Sequence, residues 1–278
     1  MANSRLILVE GIPGSGKTST ARFISDWLER RGQPGVLFQE GDWAHPADFE
    51  SVACLDMSEY SQLLAQFPAL AGFLAEHARQ EHGEWFFSYR QMQHDHGDRL
   101  PAALFEALAH YEIYDLPVEK HQRLLLQRWQ DFTAQANAQD TIFIFECCFL
   151  QNPTTTLLAR HNLTLDVIQK HILALAEITA PLQPRLIYLE QDDVRATLEN
   201  ICRQRPKEWA DFVTQYLTGQ EYGAQHGLHE FDGVIDFYTI RQALELEFIQ
   251  TLPIPSLVVS DGADWDARYK YLETFLEI

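Results

Sequence analysis

Positive charge is what this sequence most lacks. Lysine and arginine together number 21 against 40 aspartates and glutamates, a formal net charge of −19 over 278 residues. A field of that sign repels nucleic acid and anionic membrane, so neither is an expected partner. Any phosphate held by the chain must be met by a local cluster of donors, which makes each basic residue near a turn informative. Cysteine is scarce too: Cys54, Cys147, Cys148 and Cys202, with no C-x-x-C spacing. That argues against a cysteine zinc module or a disulfide framework, and buried reduced thiols are expected. No apolar run approaches the length of about 20 residues that a membrane span needs. The first residues carry no basic n-region with an apolar core, so a cytoplasmic location is expected. Linkers, repeats and low-complexity tracts are missing as well, which favours one domain, 1–278, over a string of modules.

What is present reads as α/β. Five short apolar or β-branched runs stand out, at 5–10 (RLILVE), 35–40 (GVLFQE), 141–147 (TIFIFEC), 185–190 (RLIYLE) and 256–260 (SLVVS). Each is followed by turn residues or a helix signal. Helical patterns occupy 17–31, 118–138, 165–179, 233–251 and 264–277. Near-continuous apolar strands separated by helices predict a five-stranded parallel sheet flanked by helices. The spacing is uneven. Residues 41–140, between the second and third strands, read as a helical insertion throughout, and 191–255, after the fourth, as a second helical excursion. Both leave from the carboxyl ends of strands, where open α/β sheets place their ligands.

The strongest motif is Gly11-Ile12-Pro13-Gly14-Ser15-Gly16-Lys17-Thr18. It fits G-x-x-x-x-G-K-[ST], the Walker A phosphate loop, and it stands between a strand and an amphipathic helix as that loop requires. Glycines permit the backbone to wrap its amides round phosphate oxygens. Gly11, Pro13, Gly14, Ser15, Gly16, Lys17, Thr18 and Ser19 are therefore the expected nucleotide-binding residues. Lys17 brings a cation to the β and γ phosphates, the Thr18 hydroxyl ligates Mg²⁺, and the helix adds the positive end of its dipole. The third strand ends its apolar run in Glu146, the form of a Walker B strand, and this acid is expected either to hold the same ion or to pair with an arginine.

The strand–loop–helix and the placement of the later strands resemble the kinase branch of the P-loop NTPases, which includes nucleoside, nucleotide and small-molecule kinases. The resemblance implies a P-loop kinase-like fold whose insertion after the second strand, 41–140, binds substrate. It also implies an arginine-bearing lid after the fourth, 191–255. A kinase of this kind uses ATP and Mg²⁺ and phosphorylates a small-molecule acceptor, a nucleoside or nucleotide being the favoured class here; an NTP-binding regulator without an acceptor is the alternative. By the same resemblance a carboxylate just past the second strand orients the acceptor hydroxyl and takes its proton. Asp42 is the first choice and Glu40 the second, against a simple turn-capping role for Asp42. Arg195 and Arg203, on one face of a helix capped by Asp192 or Asp193, stand where such kinases place lid arginines. Pairing with Glu199 or Asp192 is the alternative. Within the insertion, Tyr89 and Arg90 close an aromatic run, Trp85-Phe86-Phe87, suited to stacking a flat acceptor and holding an anionic group, or else to packing a core. His94 and His96 are a weak metal pattern. The adenine is expected near the loop at Ser260-Asp261-Gly262.

Overall fold

A strand that is apolar on both faces is stable only when both are covered. The computed structural model describes residues 4–33, 35–260 and 265–277 and answers that demand with two compact units. One comprises Met1–Glu40 and Trp129–Ile278, the other Gly41–Arg128.

In the first unit, strands β1 (Leu6–Gly11) and β2 (Gly35–Phe38) join three strands from later in the chain. The second unit contributes β3 (Val52–Leu55), β4 (Arg79–Glu81) and β5 (Glu84–Ser88). β6 (Ile142–Glu146), β7 (Arg185–Glu190) and β8 (Ser256–Ser260) return to the first. The five-stranded sheet runs β2-β6-β1-β7-β8, and all its pairings are parallel. Side chains alternate across the pleat. Ile7, Val9, Ile144, Ile187 and Leu189 share one core with Ala21, Ile24, Trp27 and Leu28 of helix Lys17–Arg30 and with Leu272 and Leu276 of helix Trp265–Glu277. Phe145, a residue out of step, meets Trp129 and Phe132 from helix Val118–Asn137 at ring separations of 5.8 and 4.7 Å. β1 is central and buried along its whole length. The sheet order reverses on either side of it, so the loop leaving β1 opens at the switch point where such sheets bind ligands.

The second unit corrects an expectation. Residues 41–140 read as helical throughout, yet β3, β5 and β4 form an antiparallel sheet in that order. A two-residue turn, His82 and Gly83, both at positive φ, joins β4 to β5 as a tight hairpin demands. Strands of three to five residues are too short to show a period of two. The aromatics of β5 face both ways: Trp85 and Phe87 into one apolar cluster, Phe86 into another with Phe49 and Cys54. They are core, the packing alternative for this aromatic run.

The region after β7 is helical as expected, with helices Val194–Gln204, Lys207–Gly219, Glu221–His226 and Glu230–Thr251. Among the described residues no helix is long and apolar enough to cross a membrane.

Candidate active site

Gly11 ends β1 at φ +143, and a Cβ there would lie 2.8 Å from both the Leu189 carbonyl and Ser15 Oγ, so only glycine fits. Gly14, at φ +83, is pressed by Thr197 and Ile201 of helix Val194–Gln204, at 3.1 and 3.3 Å from its notional Cβ. The loop turns on itself through the Ser15 amide, which donates to the Ile12 carbonyl at 3.2 Å. Lys17 Nζ donates to the same carbonyl at 2.9 Å, so its ammonium is folded back onto the loop and almost wholly buried. Pro13 and Gly16 are at least partly accessible, as are Thr18 and Ser19 at the start of the helix. The expected loop residues thus run from the end of β1 at Gly11, through the turn 12–16, to the first residues of the helix, Lys17, Thr18 and Ser19.

The Thr18 hydroxyl donates to Glu146 Oε1 at 2.7 Å, which brings the two expected metal ligands together across 128 positions of sequence. Burial is the main force pushing the Glu146 carboxyl above its ordinary range; Thr18 and Lys17 pull the other way. Its second oxygen, Oε2, is buried with no hydrogen-bond partner, as is Ser15 Oγ in the loop. Such atoms are costly unless something meets them. Glu40, Glu146 and Cys147 offer ligand atoms all within 4.8 Å of one another, the one such group among the described residues. A hard cation prefers the two carboxylates to the thiol. Burial drives the Cys147 thiol far up, so it stays neutral and donates to Glu40 Oε2 at 3.3 Å. Cys147 also holds a backbone φ of +74, strain of the kind that collects at functional sites. Gln151 Nε2 donates to the other Glu40 oxygen at 2.9 Å. An orphaned carboxylate oxygen, a hydroxyl beside it and an orphaned loop hydroxyl suit a magnesium-bound phosphate chain, so the residues present fit ATP and Mg²⁺.

The other expected residues each have their own local setting. Asp42 lies in the second unit and accepts from the Ala44 amide at 2.9 Å, the turn-capping role. In that unit Tyr89 is buried, and its hydroxyl is driven up by burial and then by its hydrogen bond to Glu112. Arg90 is exposed and donates to Gln93 at 3.2 Å. His94 bonds its neighbour Asp95, and neither it nor His96 belongs to a candidate metal group among the described residues. Asp193, one of the two expected capping residues, caps helix Val194–Gln204 through the Ala196 amide. That helix meets the phosphate loop with Thr197 and Ile201, and at 100° per residue Arg195 and Arg203 lie roughly 140° round from that face. Arg195 pairs instead with Asp232 at 2.8 Å, in solvent. Arg203 is exposed in the last turn. Asp261 and Gly262 lie outside the described residues.

The structure adds residues that sequence reasoning missed. Glu10, fully buried beside Gly11, accepts from the Phe149 and Gln151 amides at 2.8 and 2.9 Å, and so holds the loop that follows Glu146. Burial pushes its carboxyl up to about 7, against those amides and helped by the nearby charge of Glu245. Arg241 and Glu245, one turn apart on helix Glu230–Thr251, form a buried ion pair at 3.3 Å. Glu245 accepts from the Tyr188 hydroxyl at 2.7 Å. A charged pair four residues apart on a helix with apolar residues on every side was the available signal.

No protein-family model matches the chain, and no curated protein matches its sequence. Solved structures match over nearly the whole length but distantly. A thymidylate kinase from Ehrlichia chaffeensis aligns with 98% of this chain and 97% of its own at 12% identity and a TM-score of 0.43. A thymidylate kinase from Candida albicans covers 99% and 92% at 14% identity and a TM-score of 0.42. Likeness this distant bears on neither reaction nor substrate, which the chain's own residues must argue.

Proposed function

We propose that this chain is an ATP-dependent phosphotransferase that moves the γ-phosphoryl group to a small-molecule acceptor, with nucleosides and nucleotides the first class to test. One observation carries the reading: a complete phosphate loop follows the central strand, with the Thr18 hydroxyl 2.7 Å from a strand-end carboxylate whose other oxygen is buried and unmet. Phosphoryl transfer asks a protein mainly for positioning and for charges set against the transferring group. The amides of Ile12, Gly14, Gly16 and Lys17 and the Ser15 hydroxyl are the proposed donors for the phosphate oxygens, since Pro13 has no N–H and the Ser15 amide donates to the Ile12 carbonyl. Lys17 exchanges the Ile12 carbonyl for a β- or γ-phosphate oxygen, a stronger acceptor for an ammonium. Thr18 and Glu146 would hold Mg²⁺, which supplies charge neutralisation on the phosphates when bound.

The acceptor hydroxyl needs a fixed carboxylate. Glu40 has the better support of the two candidates, because Cys147 and Gln151 fix both its oxygens beside Glu146, whereas Asp42 is occupied with its own turn. Arg195 and Arg203 remain the proposed lid cations. They serve only after the helix carrying them turns or closes, since neither faces the loop now. Within the unit Gly41–Arg128, Tyr89 and Arg90 are the proposed acceptor contacts. The deciding experiment is magnesium-ATP turnover across a panel of nucleosides, nucleotides, sugars and amino alcohols. ADP release that depends on one acceptor, and is lost in Lys17→Ala, is the expected result. Slow hydrolysis indifferent to every acceptor would replace this reading with that of a nucleotide-binding regulator.

A further inference from the structure

The phosphate loop is held from outside as well as by its own turns. Arg241 stands mid-helix in Glu230–Thr251, 1% exposed, in a chain short of cations. Two of its nitrogens donate hydrogen bonds, and the third stands at ion-pair distance from a carboxylate without a hydrogen bond to it. Nη2 donates to the Gly11 carbonyl at 3.1 Å and Nη1 to Thr155 Oγ1 at 2.9 Å, while Nε lies 3.3 Å from Glu245 Oε1. The guanidinium carbon sits 4.9 Å from the centre of the Tyr238 ring. A buried ion pair adds little to stability compared with a well-packed apolar pair, so its presence here calls for another reason.

The Gly11 carbonyl supplies one. It belongs to the peptide by which the chain enters the loop, and because a peptide is planar, holding its oxygen also fixes the Ile12 amide. The next carbonyl, of Ile12, is the one that takes both the Ser15 amide and the Lys17 ammonium. Arg241 therefore acts one peptide away from the resting position of Lys17. Gly11 has no side chain to restrain the peptide that follows it. A rigid guanidinium fork, itself held by its hydrogen bond to Thr155 and paired with Glu245, supplies that restraint from outside.

We infer that Arg241 is a positioning residue of the phosphate loop: by holding the Gly11 carbonyl it sets the loop amides and Lys17 in the orientation that receives a triphosphate. The inference rests on the nucleotide reading above and acts through Gly11. The test uses the full chain carrying R241M/E245Q, which removes both charges together so that no lone buried ion remains, while the amide at 245 still accepts from Tyr188. Hydrogen exchange without nucleotide and calorimetry with magnesium-ATP are the readouts. Loss of one hydrogen bond to a charged group is worth about tenfold or more. Exchange across 11–17 is expected to quicken about tenfold, with helix Leu165–Thr179 unchanged, and the Kd for magnesium-ATP to weaken by a similar factor. In turnover the KM for ATP rises more than kcat falls. R241K, with its charge kept but a single donor point, gives intermediate values. Wild-type exchange and affinity in R241M/E245Q would overturn the inference. If that variant does not fold, Thr155→Val is read instead, with both shifts expected at about threefold and unchanged values again overturning it. Failure of the wild-type protein to take up magnesium-ATP overturns the proposed function and this inference together, whereas normal wild-type uptake with an unaltered variant overturns the inference alone.

Discussion

Replacing Glu10 by glutamine should remove most of a pH dependence that the wild-type chain carries at its centre. The Glu10 carboxyl is fully buried, and burial is the main cause of its rise from 4.5 to about 7. A raised folded-state value means that the folded chain holds a proton which the unfolded chain has already released. The stability this gives is fully present below about 4.5 and is lost as pH rises through 7. Between those values the folded chain binds one more proton, so unfolding free energy falls by about 1.4 kcal/mol per pH unit. Over the shift the total is about 3 kcal/mol. Glutamine keeps the shape but turns one acceptor oxygen into a donor facing an amide, either that of Phe149 or that of Gln151. That mismatch costs roughly 1–3 kcal/mol at every pH. Wild type should therefore be the more stable by up to about 2 kcal/mol at pH 5, and Glu10→Gln the more stable by up to about 2 kcal/mol at pH 8. Other buried groups are shifted too: Glu112 is raised to about 7 and His45 lowered to about 4, both chiefly by burial. The difference between the two proteins cancels these. Urea unfolding of both proteins from pH 5 to 9 is the assay. A stability difference constant across that range would refute the argument, because it would mean that Glu10 titrates alike folded and unfolded.

Three further outcomes follow from the same geometry. Glu146→Gln removes a buried charge that the nucleotide-free chain holds unwillingly, so its melting temperature at pH 8 should stay level or rise. Its calorimetric affinity for magnesium-ATP should fall at least about tenfold, and undiminished affinity would exclude Glu146 as a ligand. Gly14→Val places a branched side chain 3.1 Å from Thr197 and 3.3 Å from Ile201 at φ +83, and should cost roughly 1–3 kcal/mol in urea unfolding; no loss would mean that the loop and helix Val194–Gln204 do not pack as described. Glu40→Gln should lower acceptor-dependent kcat by about a hundredfold, in the range of general-base loss, and leave the ATP KM unchanged. The same drop in Asp42→Asn alone would transfer the role to Asp42.

The phosphate loop was legible because its requirements are local: Gly11 and Gly14 satisfy backbone angles, and Lys17 and Thr18 follow at fixed spacing. The inner parallel strands β1, β6 and β7 were legible for a related reason, since burial on both faces leaves a near-continuous apolar run such as Ile142–Phe145. Glu146 could be chosen as a ligand because it is the lone acid ending that run. The antiparallel sheet was hidden because Arg79–Glu81 is wholly polar and Val52–Leu55 too short to alternate visibly. Arg195 and Arg203 were read as one helical face, correctly, but which face meets the loop depends on Thr197 and Ile201, whose partner Gly14 is far away in sequence. Arg241 was the hardest to see. Its contact with Gly11 spans 230 positions, and with Glu245 it has the i, i+4 spacing of an ordinary solvated pair. Its surroundings distinguish it: in a chain with almost two acids for every base, a cation that no water reaches is held by acceptors whose own positions matter. The same reasoning applies to Glu10, an acid inside an apolar strand, where the two amides that meet it belong to the loop following Glu146. Buried charges beside the glycine-rich loop, such as Glu10 and Arg241, are thus a signal that spacing alone does not give.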